Sequence, residues 1–562
     1  MRAEDKAPAT STQTVRLPFW AYPAITIVGL FIGIEAIVRG TRALGSICDT
    51  DLANFFLKSA SYILSGDPWH MYAVRDSCTI TYPNYNPPLG MFLMAPFLAL
   101  ERGAGLASNI GAQVTFLSLP FILVVPVLGW IVVKVLRYLY SEISETQLFL
   151  AYALVVLSPL TWQTYGTWYH VEQPIMLCFL FGAVFALRTR REWLAGVFAG
   201  LAVLTRTTAL MPLVAVGVLL LADLQWRPLL RFGGLAAVVA GAGFAPFFLF
   251  APRDTLYSLV QWRGTAIIGS DSIWTLFAYD GTNTHSIRYL LDAVARRVDG
   301  YAVLLVIVVV ALAAARRLHI SAYSRDAWAV VAIAMLAVPL LSKTVWPYYY
   351  LEPFLALLIW EFASMHDRPS GVWRWPVLTL GFLAVTATLS QYIYLRSVGT
   401  LDRLSLGVLQ FLLMLAFVIL AWVRLPAIKP SGARAQPTNE VALVRPNVER
   451  ALGAAHNPSP QEAAPFGPPQ VPYGAQQPPA AANGGAWGPG NGAAGAPPLP
   501  GQAAPRAPLW PPETLQQAPG APQPQTGGRP DMPGPRGSRA GGANSLEGWP
   551  NLWPEPPQSP RR

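Results

Sequence analysis

Long apolar runs occupy most of the chain and decide what it can fold into. Between Leu17 and Arg424, runs of about 15 to 25 mostly apolar residues follow one another with short polar breaks. As a helix, each run is long enough to cross a hydrocarbon core of about 30 Å. Hydrophobic residues make up 53% of the chain and charged residues only 12%, which argues against a soluble domain. The sequence therefore predicts an all-α polytopic membrane protein.

The distribution of Lys and Arg predicts how these spans are oriented. The formal net charge of +10 is spread in small clusters at the ends of apolar runs, which favours a topological role over nucleic-acid binding. Counting these clusters places residues 1–16 and the C-terminal tail in the cytoplasm of a multi-pass cell-membrane protein. The predicted spans are 17–38, 111–137, 147–163, 173–188, 193–206, 207–222, 232–251, 301–316, 327–343, 347–363, 373–392 and 405–424.

The polar segments fall into outer loops and a tail. Residues 39–110 and 252–300 form the first and second predicted outer loops, and the first carries an interfacial helix at 87–100. The pair 193–206 and 207–222 also fits one long helix with a re-entrant piece. Residues 425–562 are rich in Pro, Gly and Ala, which predicts a disordered cytoplasmic tail, with docking through its tryptophans as the alternative.

Two acids stand at the outer rim of the first predicted helix, in "ICDTDLANFF". A loop position or a helix cap would explain Asp49 and Asp51 if they stood alone. Here the acids precede an aromatic pair, a helical stretch and the turn "YNPPLG" that leads into the interfacial helix. That order of features suggests a functional acid.

This order resembles the first outer loop of the C-type (GT-C) membrane glycosyltransferases, and most closely the bacterial polyprenyl-phosphate-mannose-dependent mannosyltransferases. The resemblance implies a GT-C-like bundle of about 12 transmembrane helices with a large first extracytoplasmic loop carrying juxtamembrane helices. It assigns the catalytic acid to Asp51, with Asp49 as the alternative. Asn86 in the "YNPPL" turn departs from the family pattern.

The resemblance also implies the reaction and its partners. The expected reaction moves a sugar, a hexose such as mannose, from a polyprenyl-phosphate donor to a glycan or glycolipid acceptor at the outer membrane face. "WYHVEQPIML" resembles the outer start of a later family helix, which makes His170, Glu172 and Gln173 candidate substrate ligands. A lipid-linked sugar transporter or flippase, or a non-catalytic assembly subunit, remains the alternative.

Cations on the predicted outer side are candidates to bind the donor phosphate. Arg206, Lys343 and Arg263 are the main ones, although snorkelling to the interface also explains Lys343. Tyr85 and Tyr349 are candidate substrate contacts, with an interfacial aromatic belt as the alternative.

Neither a cofactor nor a metal is indicated by the sequence. His170 beside Glu172 is a weak metal signal, because a third ligand is not evident. Cys48 and Cys78 share the first outer loop and would form a disulfide in an oxidising compartment.

Overall fold

The computed structural model describes residues 18–42, 51–73, 84–106, 109–140, 143–166, 169–261, 268, 272–278, 285–365, 375–395 and 400–427. These residues form helices and turns, without a strand among them. The all-α fold class is confirmed.

The helices of the first half begin at the predicted cytoplasmic N-terminus. They are α1 (Ala21–Arg42), α2 (Lys58–Leu64), α3 (Pro88–Gly103), α4 (Ile110–Ile122), α5 (Val124–Leu139), α6 (Glu145–Leu157), α7 (Pro159–Gly166), α8 (Glu172–Arg188), α9 (Glu192–Thr205) and α10 (Leu210–Ala222). A π-helical turn, Leu52–Leu57, leads into α2, and 3-10 turns lie at Pro68–Tyr72 and Thr207–Ala209.

The second half continues in the same way. It contains α11 (Trp226–Leu229), α12 (Leu235–Phe250), α13 (Pro252–Leu256), α14 (Ile287–Leu318), α15 (Ala327–Leu341), α16 (Leu351–Ser364), α17 (Val377–Leu395) and α18 (Thr400–Ala427). A π-helical turn at Leu230–Gly234 joins α11 to α12, and a 3-10 turn at Pro347–Tyr350 precedes α16.

Six of the described helical stretches are long and apolar enough to cross a membrane: 21–42, 111–139, 145–166, 226–250, 287–318 and 404–425. The other predicted spans coincide with shorter helices, such as α9, α15 and α17. The fold is therefore polytopic, while the count of about twelve crossings stays a prediction.

The centre of the bundle is formed by α15 and α16. Every residue of 327–340 and of 351–364 is buried, because both helices are apolar on all sides. Glu361 of α16 is charged although it lies in this apolar region. It accepts hydrogen bonds from Arg424 of α18 and from the backbone amide and hydroxyl of Thr379 in α17. Burial of this carboxylate with its partners ties the last three helices together.

Hydrogen bonds fix the "YNPPL" turn of the first loop. The Tyr72 hydroxyl donates to the Asn86 carbonyl at 3.0 Å, and the Asn86 amide donates to Asn84 Oδ1 at 3.0 Å. Asn84 also donates to Ser59 of α2 at 2.9 Å. These bonds set the position from which α3 begins at Pro88. A helix is therefore present at the predicted place and runs to Gly103, while its position at the membrane interface stays a prediction.

Helix α14 is longer than its predicted span of 301–316. It begins at Ile287 inside the predicted second outer loop, with the Ser286 side chain capping it by accepting from the Tyr289 amide at 3.2 Å. The charges at its start interrupt the hydropathy run but have helical spacing, as in the 2.6 Å pair between Asp292 and Arg296. Hydropathy therefore marked only the apolar part of this helix.

Candidate active site

Asp51 lies in the helical stretch of the first loop, just before the π-helical turn that leads into α2. Its Oδ2 lies 2.9 Å from Nε2 of His170, which is 119 positions away in the sequence. The Asp51 side chain is 29% exposed, whereas that of His170 is only 3% exposed. Asp51 is thus an accessible acid with a buried partner.

The turn between α7 and α8 places His170 next to Asp51. Tyr169 has a left-handed backbone with φ of 56°, and the His170 amide then donates to the Thr164 carbonyl at 2.9 Å. The ring of His170 packs between aromatic groups, with its centroid 4.1 Å from that of Tyr348 and 6.4 Å from that of Phe56. Such packing on two sides restricts the orientation of the imidazole.

Both nitrogens of His170 face carboxylates. While Nε2 faces Asp51, Nδ1 lies 2.7 Å from Oε1 of Glu172, whose side chain is 1% exposed. Burial alone lowers the pKa of His170, but the neighbouring Glu172 and Asp51 carboxylates outweigh it, so the pKa is raised above its ordinary value. The imidazolium form is the one favoured by these surroundings.

Arg206 carries the network further into the bundle. It lies at the break between α9 and α10, where its extended backbone, with φ of −157° and ψ of 132°, separates the two helices. Its Nη1 donates to Glu172 Oε1 at 2.6 Å, and its Nε lies 3.7 Å from Glu352 Oε1. The two predicted spans at 193–206 and 207–222 are therefore separate helices, and the break buries a guanidinium between two acids.

Glu352 completes the network and was not among the residues predicted from the sequence. Gln173 and Thr208 donate to its Oε1 at 3.2 and 2.9 Å, and Gln173 also donates to the Tyr348 carbonyl at 2.8 Å. The sequence signal available for Glu352 was an acid at the start of an apolar run, in "WPYYYLEP". Its partners are more than 140 positions away, so the sequence did not indicate a shared site.

Aromatic side chains surround the guanidinium of Arg206. Its Cζ lies 4.9 Å from the ring centroid of Tyr348 and 5.3 Å from that of Tyr349. Tyr85 packs edge-on against Phe55 of the π-helical turn, with centroids 4.9 Å apart. Cation–π contact of this kind adds to the ion pairs that hold Arg206.

Lys343 belongs to a different set of contacts, with residues in the N-terminal half of α14. Its Nζ donates to the Arg296 carbonyl at 2.5 Å and lies 4.0 Å from Asp299 Oδ1, and its amide donates to Asp299 Oδ2 at 3.1 Å. The structure therefore joins Asp51, His170, Glu172 and Arg206 through direct contacts, and it anchors Lys343 to α14.

The remaining predicted residues cannot be located in the same way. Asp49, Cys48, Cys78 and Arg263 lie outside the described residues, so the disulfide and the choice between the two acids stay predictions. Among the residues that the structure describes, no group of three or more His, Cys, Asp or Glu side chains is arranged to hold a metal ion.

The described residues thus form a helical bundle in which the accessible carboxylate of Asp51 is backed by a buried ionic network. Residues 84–342 match the family model of glycosyltransferase family 87, a GT-C-type family of membrane glycosyltransferases. The resemblance to GT-C enzymes is thereby confirmed, and the match, which covers a little less than half of the chain, supports a membrane glycosyltransferase. The matched segment includes His170, Glu172 and Arg206, while Asp51 and Glu352 lie outside it. Comparison with curated proteins and with solved structures gives no match.

Proposed function

We propose that the protein transfers a hexose such as mannose from a polyprenyl-phosphate carrier to a glycan or glycolipid acceptor, with Asp51 as the general base. The observation that carries this proposal is the exposure of Asp51. It is the one member of the ionic network with an accessible side chain, at 29%, while those of Glu172, Arg206 and Glu352 are at most 7% exposed. A base must reach the acceptor hydroxyl, which excludes the two buried acids from this role.

The proposed chemistry is a direct displacement that inverts the anomeric carbon. The acceptor oxygen forms a bond to that carbon as the bond to the phosphate oxygen breaks, and the hydroxyl proton passes to the Asp51 carboxylate. The polyprenyl phosphate leaves with the electron pair of the broken bond. This sequence needs a carboxylate at the membrane surface and positive charge near the leaving phosphate.

Arg206, Lys343 and Arg263 are the proposed sources of that positive charge. Arg206 belongs to the network and is held tightly by Glu172, so phosphate contact would replace its looser 3.7 Å approach to Glu352. Lys343 would contribute from the segment after α15, where it contacts Arg296 and Asp299 of α14. Tyr85, Tyr349 and Gln173 are the proposed sugar contacts, since aromatic faces and amides are common in such sites.

The protein is proposed to reside in the cell membrane with both termini in the cytoplasm. The acids and aromatic groups of the network all come from segments that the distribution of Lys and Arg assigns to the outer face. Their meeting at one site supports placing these segments on the same face of the membrane, since an inverted single span would separate them.

Replacing Asp51 with Asn tests the assignment of the base. The variant keeps the size and a hydrogen-bonding group of Asp51 but cannot take a proton, so we expect transfer from polyprenyl-phosphate mannose to fall by about 10²- to 10⁴-fold. Sugar incorporation into lipid extracts of membranes containing the full chain measures it, with the amount of folded protein checked in parallel.

Asp67→Asn is the matched control, because Asp67 is an exposed acid of the same loop that pairs with His70. We expect it to retain activity. Full activity of Asp51→Asn with an inactive Asp49→Asn would move the base to Asp49, and activity in both would rule out the mechanism.

A further inference from the structure

His170 makes contacts that a neutral imidazole cannot satisfy. Its Nε2 lies 2.9 Å from an oxygen of Asp51 and its Nδ1 lies 2.7 Å from an oxygen of Glu172. A neutral ring has one N–H donor, so its other nitrogen would present a lone pair to a carboxylate. Two short contacts to ionised acids therefore require either the imidazolium or a proton on one of the carboxyl groups.

The charges around the ring favour the imidazolium. The groups that face it are Asp51 from the first loop, Glu172 from α8, Tyr348 from the turn before α16, and Arg206, whose Nη1 lies 3.4 Å from Nδ1. Arg206 opposes a second cation, but it is already shared between Glu172 and Glu352. Asp51 and Glu172 are two carboxylates beside one guanidinium, and a protonated His170 reduces this excess of negative charge.

We propose that His170 is a positioning residue that acts as an imidazolium clamp: Glu172 holds the ring, and the ring fixes the carboxylate of Asp51. This assignment rests on the proposed function for its catalytic meaning. The ring itself stays buried and does not contact the sugar. Nε2–H binds one oxygen of the acid, Oδ2, and this contact leaves Oδ1 to act as the base.

The clamp gives the transfer rate a dependence on pH that a purely structural residue would lack. When the imidazolium loses its proton, the remaining N–H can serve only one carboxylate, and the shorter contact is the one to Glu172. Asp51 then loses its anchor. We expect the transfer rate of the wild-type protein to fall on the alkaline side, at a pH above the ordinary histidine value of about 6.5.

Two substitutions of His170 by amide side chains test its two contacts one at a time. Glutamine places its nitrogen where Nε2 lies and retains the contact to Asp51, whereas asparagine places it near Nδ1 and retains the contact to Glu172. Neither can titrate. We expect His170→Gln to transfer mannose from polyprenyl-phosphate mannose at a lower rate that no longer falls with rising pH, and His170→Asn to be slower still.

A second measurement does not depend on the donor. The raised pKa of His170 stabilises the folded protein fully below pH 6.5, and this stabilisation is lost as pH rises through the folded-state value. The difference in Tm between the wild-type protein and His170→Gln should therefore be largest at acid pH and shrink as pH rises through the folded-state pKa of His170. His70→Gln is the control, because His70 pairs with Asp67 in an exposed position.

The outcomes separate this inference from the proposed function. A Tm difference that stays constant from about pH 5.5 to about pH 9 would show a neutral ring and overturn the clamp, whatever the transfer assay gives. A shrinking Tm difference without any transfer from polyprenyl-phosphate mannose would retain the clamp and reject the donor. If His170→Gln does not fold, nitrogen-15 spectra of wild-type protein with labelled histidine test the protonation of the ring instead. Absence of any imidazolium signal at neutral pH would overturn the proposal.

Discussion

Arg206 is a buried cation that contacts several side chains of the network. Its guanidinium is the shared partner of Glu172 and Glu352, and it also faces the rings of Tyr348 and Tyr349. Removing a buried cation leaves its carboxylates without compensation, which costs far more than losing an exposed ion pair. Arg206 is thus central to stability whether or not it also contacts phosphate.

Replacing Arg206 with Met should lower the free energy of unfolding by about 3 to 5 kcal/mol. Denaturant titration of the purified full chain in detergent measures the change. Arg137→Met is the control, since Arg137 pairs with Glu145 at the surface and should change stability by about 0 to 1 kcal/mol. Equal effects of the two substitutions would contradict the burial of the Arg206 network.

The same network contains four residues that were already candidates from the sequence. Asp51, His170, Glu172 and Arg206 were selected from the sequence, because each is a charged or polar group beside a long apolar run. Their selection did not reveal their partners. The contact between Asp51 and His170 depends on how α1 and α7 pack, and Glu352 meets Arg206 only because α16 lies at the centre of the bundle.

At the scale of elements, the packing of α1 on α7 controls the distance from Asp51 to His170. The two helices approach through glycines: a methyl group on Gly40 would lie 1.8 Å from the carbonyl oxygen of Gly166, and one on Gly166 would lie 2.6 Å from that of Ala36. The first loop, which carries Asp51, follows α1, and the turn with His170 follows α7. Close backbone contact therefore fixes the two chain segments that deliver the acid and its partner.

Gly40→Ala should push these helices apart, because the obstructing atoms are backbone and cannot rotate away. We expect destabilisation of about 1 to 3 kcal/mol and a loss of transfer activity, measured by thermal unfolding and by the mannose transfer assay. Gly300→Ala in α14 is the control, since a methyl group there meets nothing within 4 Å. That substitution should be neutral or stabilising, by up to about 1 kcal/mol. Gly40→Ala with wild-type stability would contradict the close packing.

At the scale of the whole molecule, orientation in the membrane decides which substrates reach the site. The network lies at the ends of helices that the Lys and Arg pattern assigns to the outer face, including the start of α8 and the break before α10. The clusters assigned to the cytoplasm include Arg190, which stacks over Tyr323 with its Cζ 3.4 Å from the ring centroid. The acids of the network and the Arg190–Tyr323 contact are thus assigned to opposite ends of the bundle.

Cysteine labelling in intact cells tests this orientation. Ile287→Cys at the exposed start of α14 should react with a membrane-impermeant maleimide from outside, whereas Trp193→Cys at the exposed start of α9 should react only after permeabilisation. Parent protein with its native cysteines, treated in parallel, gives the background. Labelling of Trp193→Cys alone in intact cells would invert the topology.

The sequence by itself determined that the protein is a helical membrane protein, because apolar runs of spanning length have no other stable structure in a bilayer. It also determined the approximate bounds of the helices and the first-loop motif that resembles GT-C enzymes. Only the tertiary structure decided that Asp51, His170, Glu172, Arg206 and Glu352 form one network, and that Lys343 is anchored to α14. Hydropathy is a local property of the chain, whereas ion pairing depends on helices that meet across more than a hundred residues.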